Sequence, residues 1–160
     1  MGANKQFNLL EFYREKAELE LQFRGDTILV VNTQKSFASQ FPYGYYCGYV
    51  YTTTNIVLNR DAVSIIPVHG GVTFMEKVDG GGMLYGFDCA HNGDNLNINT
   101  RDLNWLRNQA LVLSIGLEVL SRYKDVNYWN HVAEIREEID SILNRFIIRE
   151  IINKTETPST

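Results

Sequence analysis

Two cysteines, Cys47 and Cys89, are the whole complement of a 160-residue chain, and neither belongs to a CxxC pair. That scarcity excludes a disulfide framework and a structural zinc knuckle. No apolar run reaches bilayer-spanning length. The opening stretch, MGANKQFNLLEFYREK, lacks the apolar segment of a secretory signal. The expectation is a cytoplasmic protein with reduced thiols, in which the sequon Asn153-Lys154-Thr155 has no role. Positive charge is also short. A formal net charge of −4 argues against broad nucleic-acid binding, yet leaves room for a small basic pocket that takes one phosphorylated ligand. The metal-binding spacings HxH, HxxxH and HExxH are missing, and no internal repeat is present.

What is there fits one soluble domain with a real core: 44% of residues are apolar and 21% charged. Residues 1–154 read as a single α+β domain and 155–160 as a polar tail. Helical spacing of Leu9, Leu10, Phe12, Tyr13, Ala17 and Leu21 predicts a helix over Phe7–Phe23. β-branched or aromatic runs predict strands at Thr27–Val31, Tyr45–Thr54, Val63–Val68 and Met83–Ala90, with Val72–Phe74 also extended. Asn32–Gly44, Asn55–Ala62 and Asn92–Thr100 read as connections. Asp79-Gly80-Gly81-Gly82 is a turn, most simply that of a hairpin. A helix over Asp102–Tyr123 follows, with Thr100 as its expected N-cap.

The last helix, Tyr128–Asn153, carries the stripe Tyr128, Val132, Ile135, Ile139, Ile142 and Phe146, spaced four, three, four, three, four. Ile147, Ile148, Ile151 and Ile152 add apolar surface elsewhere. The stripe packs either on its own core or in a homo-oligomer through the C-terminal helices. A helix, several strands and two more helices imply an α+β fold, a mostly antiparallel sheet with helices packed on it.

Chemistry concentrates in two segments, VHGG (Val68–Gly71) and GFDCAHNGDN (Gly86–Asn95). Gly80 is eleven residues from His69 and eleven from His91. A hairpin turning there brings the two imidazoles together, unless a bulge at Gly70-Gly71 shifts the register. Glycines two positions after each histidine leave backbone N–H groups open to an anion. Two imidazoles, with unperturbed pKa values near 6.5, can act as general base and general acid. Phosphodiester cleavage by a neighbouring 2′-hydroxyl needs that pair and no metal. His69, His91 and Asp88 are thus the candidate catalytic residues, with Asp88 or Asp94 fixing a tautomer. No cofactor is expected. A divalent ion on His69, His91, Asp88 and Asp94, with Cys89 added for zinc, ranks lower, because strand alternation turns Asp88 away from Cys89 and His91. Taken singly, a histidine at a strand end is more often a structural residue.

Tyr43, Tyr45, Tyr49 and Tyr51 fall on alternate positions, with Cys47 among them. Such a face can stack a base, though packing beneath a helix is commoner. Gly70, Gly71, Asp94, Tyr45, Tyr49 and Arg101 are therefore the candidate ligand-binding residues, with Arg60 a further basic candidate.

CGYV (Cys47–Val50), VHGGVTF (Val68–Phe74) and GFDCAHNGD (Gly86–Asp94) together resemble an uncharacterised family of small phage- and prophage-encoded proteins. The resemblance covers about half the chain and extends to a C-terminal helix, here Trp129–Phe146; Asp102–Tyr123 looks like an addition. It implies a host cytoplasmic setting and a target in a host system, such as a small nucleotide immune signal. The expected function is binding and cleavage of such a ligand by a metal-independent phosphodiesterase. The alternatives are a sponge that sequesters the ligand and a protein-binding inhibitor working through the C-terminal helix.

Overall fold

The computed structural model describes residues 7–33, 44–91 and 93–156. Tyr43, Asn92, most of the loop predicted at Asn32–Gly44 and the last four residues of the predicted tail lie outside them.

Five strands form one antiparallel sheet: β1 (Ala17–Phe23), β2 (Asp26–Thr33), β3 (Tyr45–Thr52), β4 (Phe74–Lys77) and β5 (Met83–Asp88). Their order across the sheet is β1-β2-β3-β5-β4. Among the described residues four α-helices accompany them: α1 (Leu9–Arg14), α2 (Arg60–Val63), α3 (Leu103–Ser121) and α4 (Val132–Glu156). This is the α+β fold expected from the order of elements.

Strand alternation divides the sheet into two faces. Ile28, Val30, Val50, Tyr85 and Phe87 join the main core with α3, which packs on β2 and β3. Leu29, Val31, Cys47, Tyr49 and Leu84 form a smaller core on the other face, where Leu9, Leu10 and Tyr13 of α1 cover it. The helices therefore divide between the two faces instead of lying on one.

α3 is the centre of the molecule. Leu111, Leu113, Ile115 and Leu117 are fully buried, as are Val119 and Leu120. Burial on neighbouring positions means that α3 is enclosed on several sides: by the sheet, by α4 and by the segment around α2. Each such aliphatic side chain contributes roughly 2 kcal/mol through loss of water contact. The predicted stripe of α4 packs on this core: Ile135 and Ile139 are buried, and Tyr128, Val132, Ile142 and Phe146 are partly so. Ile148, Ile151 and Ile152 remain exposed.

Three local expectations give way. The predicted helix Phe7–Phe23 stops at Arg14, and Ala17–Phe23 is the edge strand β1. Its alternation of half-buried and exposed residues serves a sheet edge, and pairing with β2 outweighs helix propensity. Val63–Val68 is not a strand. Asn59 caps α2 by accepting from the N–H groups of Asp61 and Ala62, and Ile65 and Ile66 then fold beneath α3. Ile66 packs against Gly116, where a Cβ would come within 2.7 Å of its side chain. The N-cap of α3 is Asp102, accepting from Asn104 and Trp105 N–H, whereas Thr100 turns inward to Asp94. At the other end α4 continues through Glu156, into the predicted tail. Among the described residues, no helix is long and apolar enough to cross a membrane.

Candidate functional site

β4 and β5 pair with Phe74 opposite Gly86 and Lys77 opposite Met83. The same register, continued past the strand ends, sets His69 opposite His91. Neither histidine is in a strand, yet the rings do converge, with centroids 5.7 Å apart and planes at 80°. The backbone arranges this. Gly70 and Gly71 take φ of +70° and +80°, so the chain turns at the point where it meets His91. A Cβ on Gly70 would lie 2.1 Å from Cε1 of the His91 ring, so any other residue has to displace that ring.

The second arm turns through Asp88. Its Oδ1 accepts from the N–H of Ala90 (3.1 Å) and its Oδ2 from the Thr73 hydroxyl (2.8 Å). β5 ends here, so strand alternation no longer separates Asp88 from His91. His91 Nε2 lies 3.7 Å from Asp88 Oδ1. Asp94 follows Gly93 and opens a short 3-10 turn over Asp94–Leu96.

Asp94 ties the cluster together. Its Oδ1 is 2.9 Å from His69 Nε2. Its Oδ2 is 3.1 Å from His91 Nδ1 and accepts from the His91 backbone N–H at 2.9 Å. A carboxylate only accepts, so each ring donates to it. In a neutral ring this selects the tautomer and leaves the lone pair on His69 Nδ1 or His91 Nε2; in the imidazolium the same nitrogen carries a proton. The Asp94 side chain is 7% exposed, those of His69 and His91 23% and 37%. A buried acceptor thus holds two half-exposed rings. The Thr100 hydroxyl donates to the Asp94 carbonyl at 3.0 Å, which anchors the loop from behind.

α3 contributes two residues that sequence reasoning missed. Gln109 Oε1 accepts the His69 N–H at 2.9 Å. The Trp105 ring meets the His69 ring edge-on at 5.2 Å. Both come from a helix more than thirty residues further along the chain, and no spacing rule links them to VHGG.

The remaining candidates are distributed differently. Tyr45 and Arg101 share a small cavity with Asp94, Cys89 and Thr100. Arg101 donates to the Gly44 carbonyl at 3.0 Å. Tyr49 is not at the cluster: it is 5% exposed and stacks on Tyr13 at 4.2 Å, within the smaller core. Burial pushes its hydroxyl far up. The thiols of Cys47 and Cys89 are each pushed up to about 12, chiefly by burial. Neither is a ready nucleophile at neutral pH.

His69, His91 and Asp94 each offer a ligating atom, all within 4.8 Å of one another. Two imidazoles and a carboxylate suit a divalent transition metal, which would take the place of the ring protons. Neither Asp88 nor Cys89, both candidate ligands from the sequence, is part of this set.

Comparison with protein-family models, curated proteins and solved structures finds no match to this chain.

Proposed function

We propose that the protein binds a small nucleotide at the His69–His91–Asp94 cluster and cleaves its phosphodiester bond by metal-independent acid–base catalysis. The supporting observation is the bridging carboxylate: Asp94 holds one nitrogen of each imidazole and leaves the other of each available. One ring takes the proton of the attacking hydroxyl as the new O–P bond forms. The other enters the step as the imidazolium and gives the proton on its second nitrogen to the departing oxygen as the old P–O bond breaks. Asp94 is a positioning residue for both. Asp88 stands beside His91 Nε2, and the space beside Gly71 is open to a ligand, although the Gly71 N–H is already donated to the Val68 carbonyl. The motif resemblance adds the phage setting, in which the ligand is a cyclic-nucleotide-like immune signal of the host cell.

A second reading rests on the same atoms: a divalent ion on His69, His91 and Asp94 that polarises the phosphate. One experiment separates the readings. The protein is incubated with a panel of cyclic and linear nucleotides, with and without chelator, and the mixture analysed by mass spectrometry. Acid–base catalysis predicts product in both arms, and a rate lowered about 10²- to 10⁴-fold in His69→Ala and in His91→Ala. Product only without chelator supports the metal. Intact ligand recovered in stoichiometric complex supports a sponge. Full activity in both histidine variants removes the cluster from the chemistry altogether.

A further inference from the structure

At the other end of α3 the β1–β2 turn, the end of α3 and the middle of α4 line a groove of about 530 Å³. That volume is in the range of small-molecule sites. Arg24, Arg122, Arg145 and Arg149 stand around it, and Phe23 and Phe146 lie among its walls, their rings edge-on at 4.9 Å. The distance from Trp105 to Arg122 along α3 is about 25 Å at 1.5 Å per residue, so the groove is separate from the histidines.

The charge there is unbalanced. Glu118 accepts from Arg24 at 2.9 Å and from Arg122 at 3.1 Å, and Glu138 also pairs with Arg122. Arg145 donates to the Ser141 backbone carbonyl. Among the described residues no carboxylate pairs with Arg145 or Arg149. Four guanidinium groups against two carboxylates leave two positive charges, on a chain whose net charge is −4. A solvated helix face also carries arginines, but these four converge on one concavity from three separate segments. One of them is placed there against backbone preference: Arg24 has a φ of +51°, in the left-handed region, at the tip of the β1–β2 turn. Guanidinium groups match phosphate oxygens two at a time, and a half-buried phenyl edge suits a flat ring.

We propose that this groove binds a small organic phosphate of the nucleoside-phosphate class, its phosphate on Arg145 and Arg149 and its base against Phe146. The site goes beyond the histidine cluster and does not depend on it. Calorimetric titration with adenosine monophosphate tests it, using wild type, the double variant Arg145→Gln/Arg149→Gln, and His69→Ala. The expected result is saturable binding to wild type, weakened about tenfold or more in the double variant and still present in His69→Ala, which removes only what the histidine cluster binds. Adenosine alone and inorganic phosphate alone bind more weakly, since each makes half of the contacts. No saturation by about 1 mM, or equal affinity in the double variant, overturns the site. Loss of binding in His69→Ala overturns it as well, by moving the ligand to the other end of the molecule. Phosphate binding as tightly as the nucleotide overturns the assigned ligand class.

Discussion

Among the described residues two aspartates are buried, Asp94 before the start of α3 and Asp26 against Ser114 in its middle, and their surroundings differ. Asp94, 5% exposed, has both oxygens engaged by N–H donors from His69 and His91. Asp26, 1% exposed, accepts from the Ser114 hydroxyl at 2.7 Å on Oδ2, while its Oδ1 completes no hydrogen bond. A buried carboxylate is tolerated when donors replace the water it has lost, and is a liability when they do not. Asp94 is thus positioned as an organising acceptor, with its partners half-exposed and open to a ligand. Asp26 lies under the β1–β2 turn, and burial pushes its carboxyl up against the smaller opposing effect of the Ser114 and Thr52 hydroxyls.

The sharpest way to break this contrast is Asp94→Ala. It strands two imidazole N–H groups and a backbone N–H in a part-buried site. A loss of about 3 kcal/mol is expected by urea unfolding, and the proposed phosphodiester cleavage should be lost with it. A loss below about 1 kcal/mol would mean that these donors find water as readily as they find Asp94, and would remove its organising role.

The His69–His91 encounter was legible because it rests on hairpin arithmetic about Gly80, which the β4–β5 register follows. The stripes of α3 and α4 were legible because burial repeats at helical period. Ala17–Phe23 was misread because Ala17 and Leu21 fit a helix and a half-buried strand equally well; only the presence of β2 decides. Val63–Val68 was misread because its β-branched residues are buried by α3 rather than by a ladder. At the site, Asp94 was visible as a nearby acid, but its role as a bridge between both rings was not. That bridge depends on Gly93 and on the turn at Asp94–Leu96 that carries the carboxylate back toward His69. Trp105 and Gln109 arrive through tertiary packing alone.

A smaller perturbation reaches Asp94 from outside. Gly70→Ala puts a methyl group 2.1 Å from His91 Cε1 and asks alanine to hold a φ of +70°. The His91 ring is half-exposed and can swing outward, which breaks its bond to Asp94 and moves that aspartate toward the condition of Asp26. The expected cost is about 2 kcal/mol, most of it backbone strain. The His91 imidazole resonances should shift by NMR while those of His131, near the start of α4, stay in place. An unchanged His91 signal together with wild-type stability would show that the Gly70 turn does not set the ring's position.

The smallest expected effect has the opposite sign. Asp26→Asn keeps an oxygen to accept from Ser114 and removes a charge that burial disfavours. Because the folded-state pKa lies above the ordinary value of 3.8, the folded protein binds its proton more tightly than the unfolded chain does. Wild-type stability therefore falls as pH rises through the window from 3.8 up to the raised folded value, and levels off above it. The asparagine variant lacks this loss. It should be more stable than wild type by about 1 kcal/mol at neutral pH, with the advantage shrinking to nothing as the pH drops below the ordinary carboxylate range. Thermal melts of both proteins across that range provide the test. A variant that loses stability at neutral pH would show that the Asp26 charge is stabilised by groups near it, the Ser114 and Thr52 hydroxyls foremost, and the contrast between the two aspartates would then reduce to one of degree.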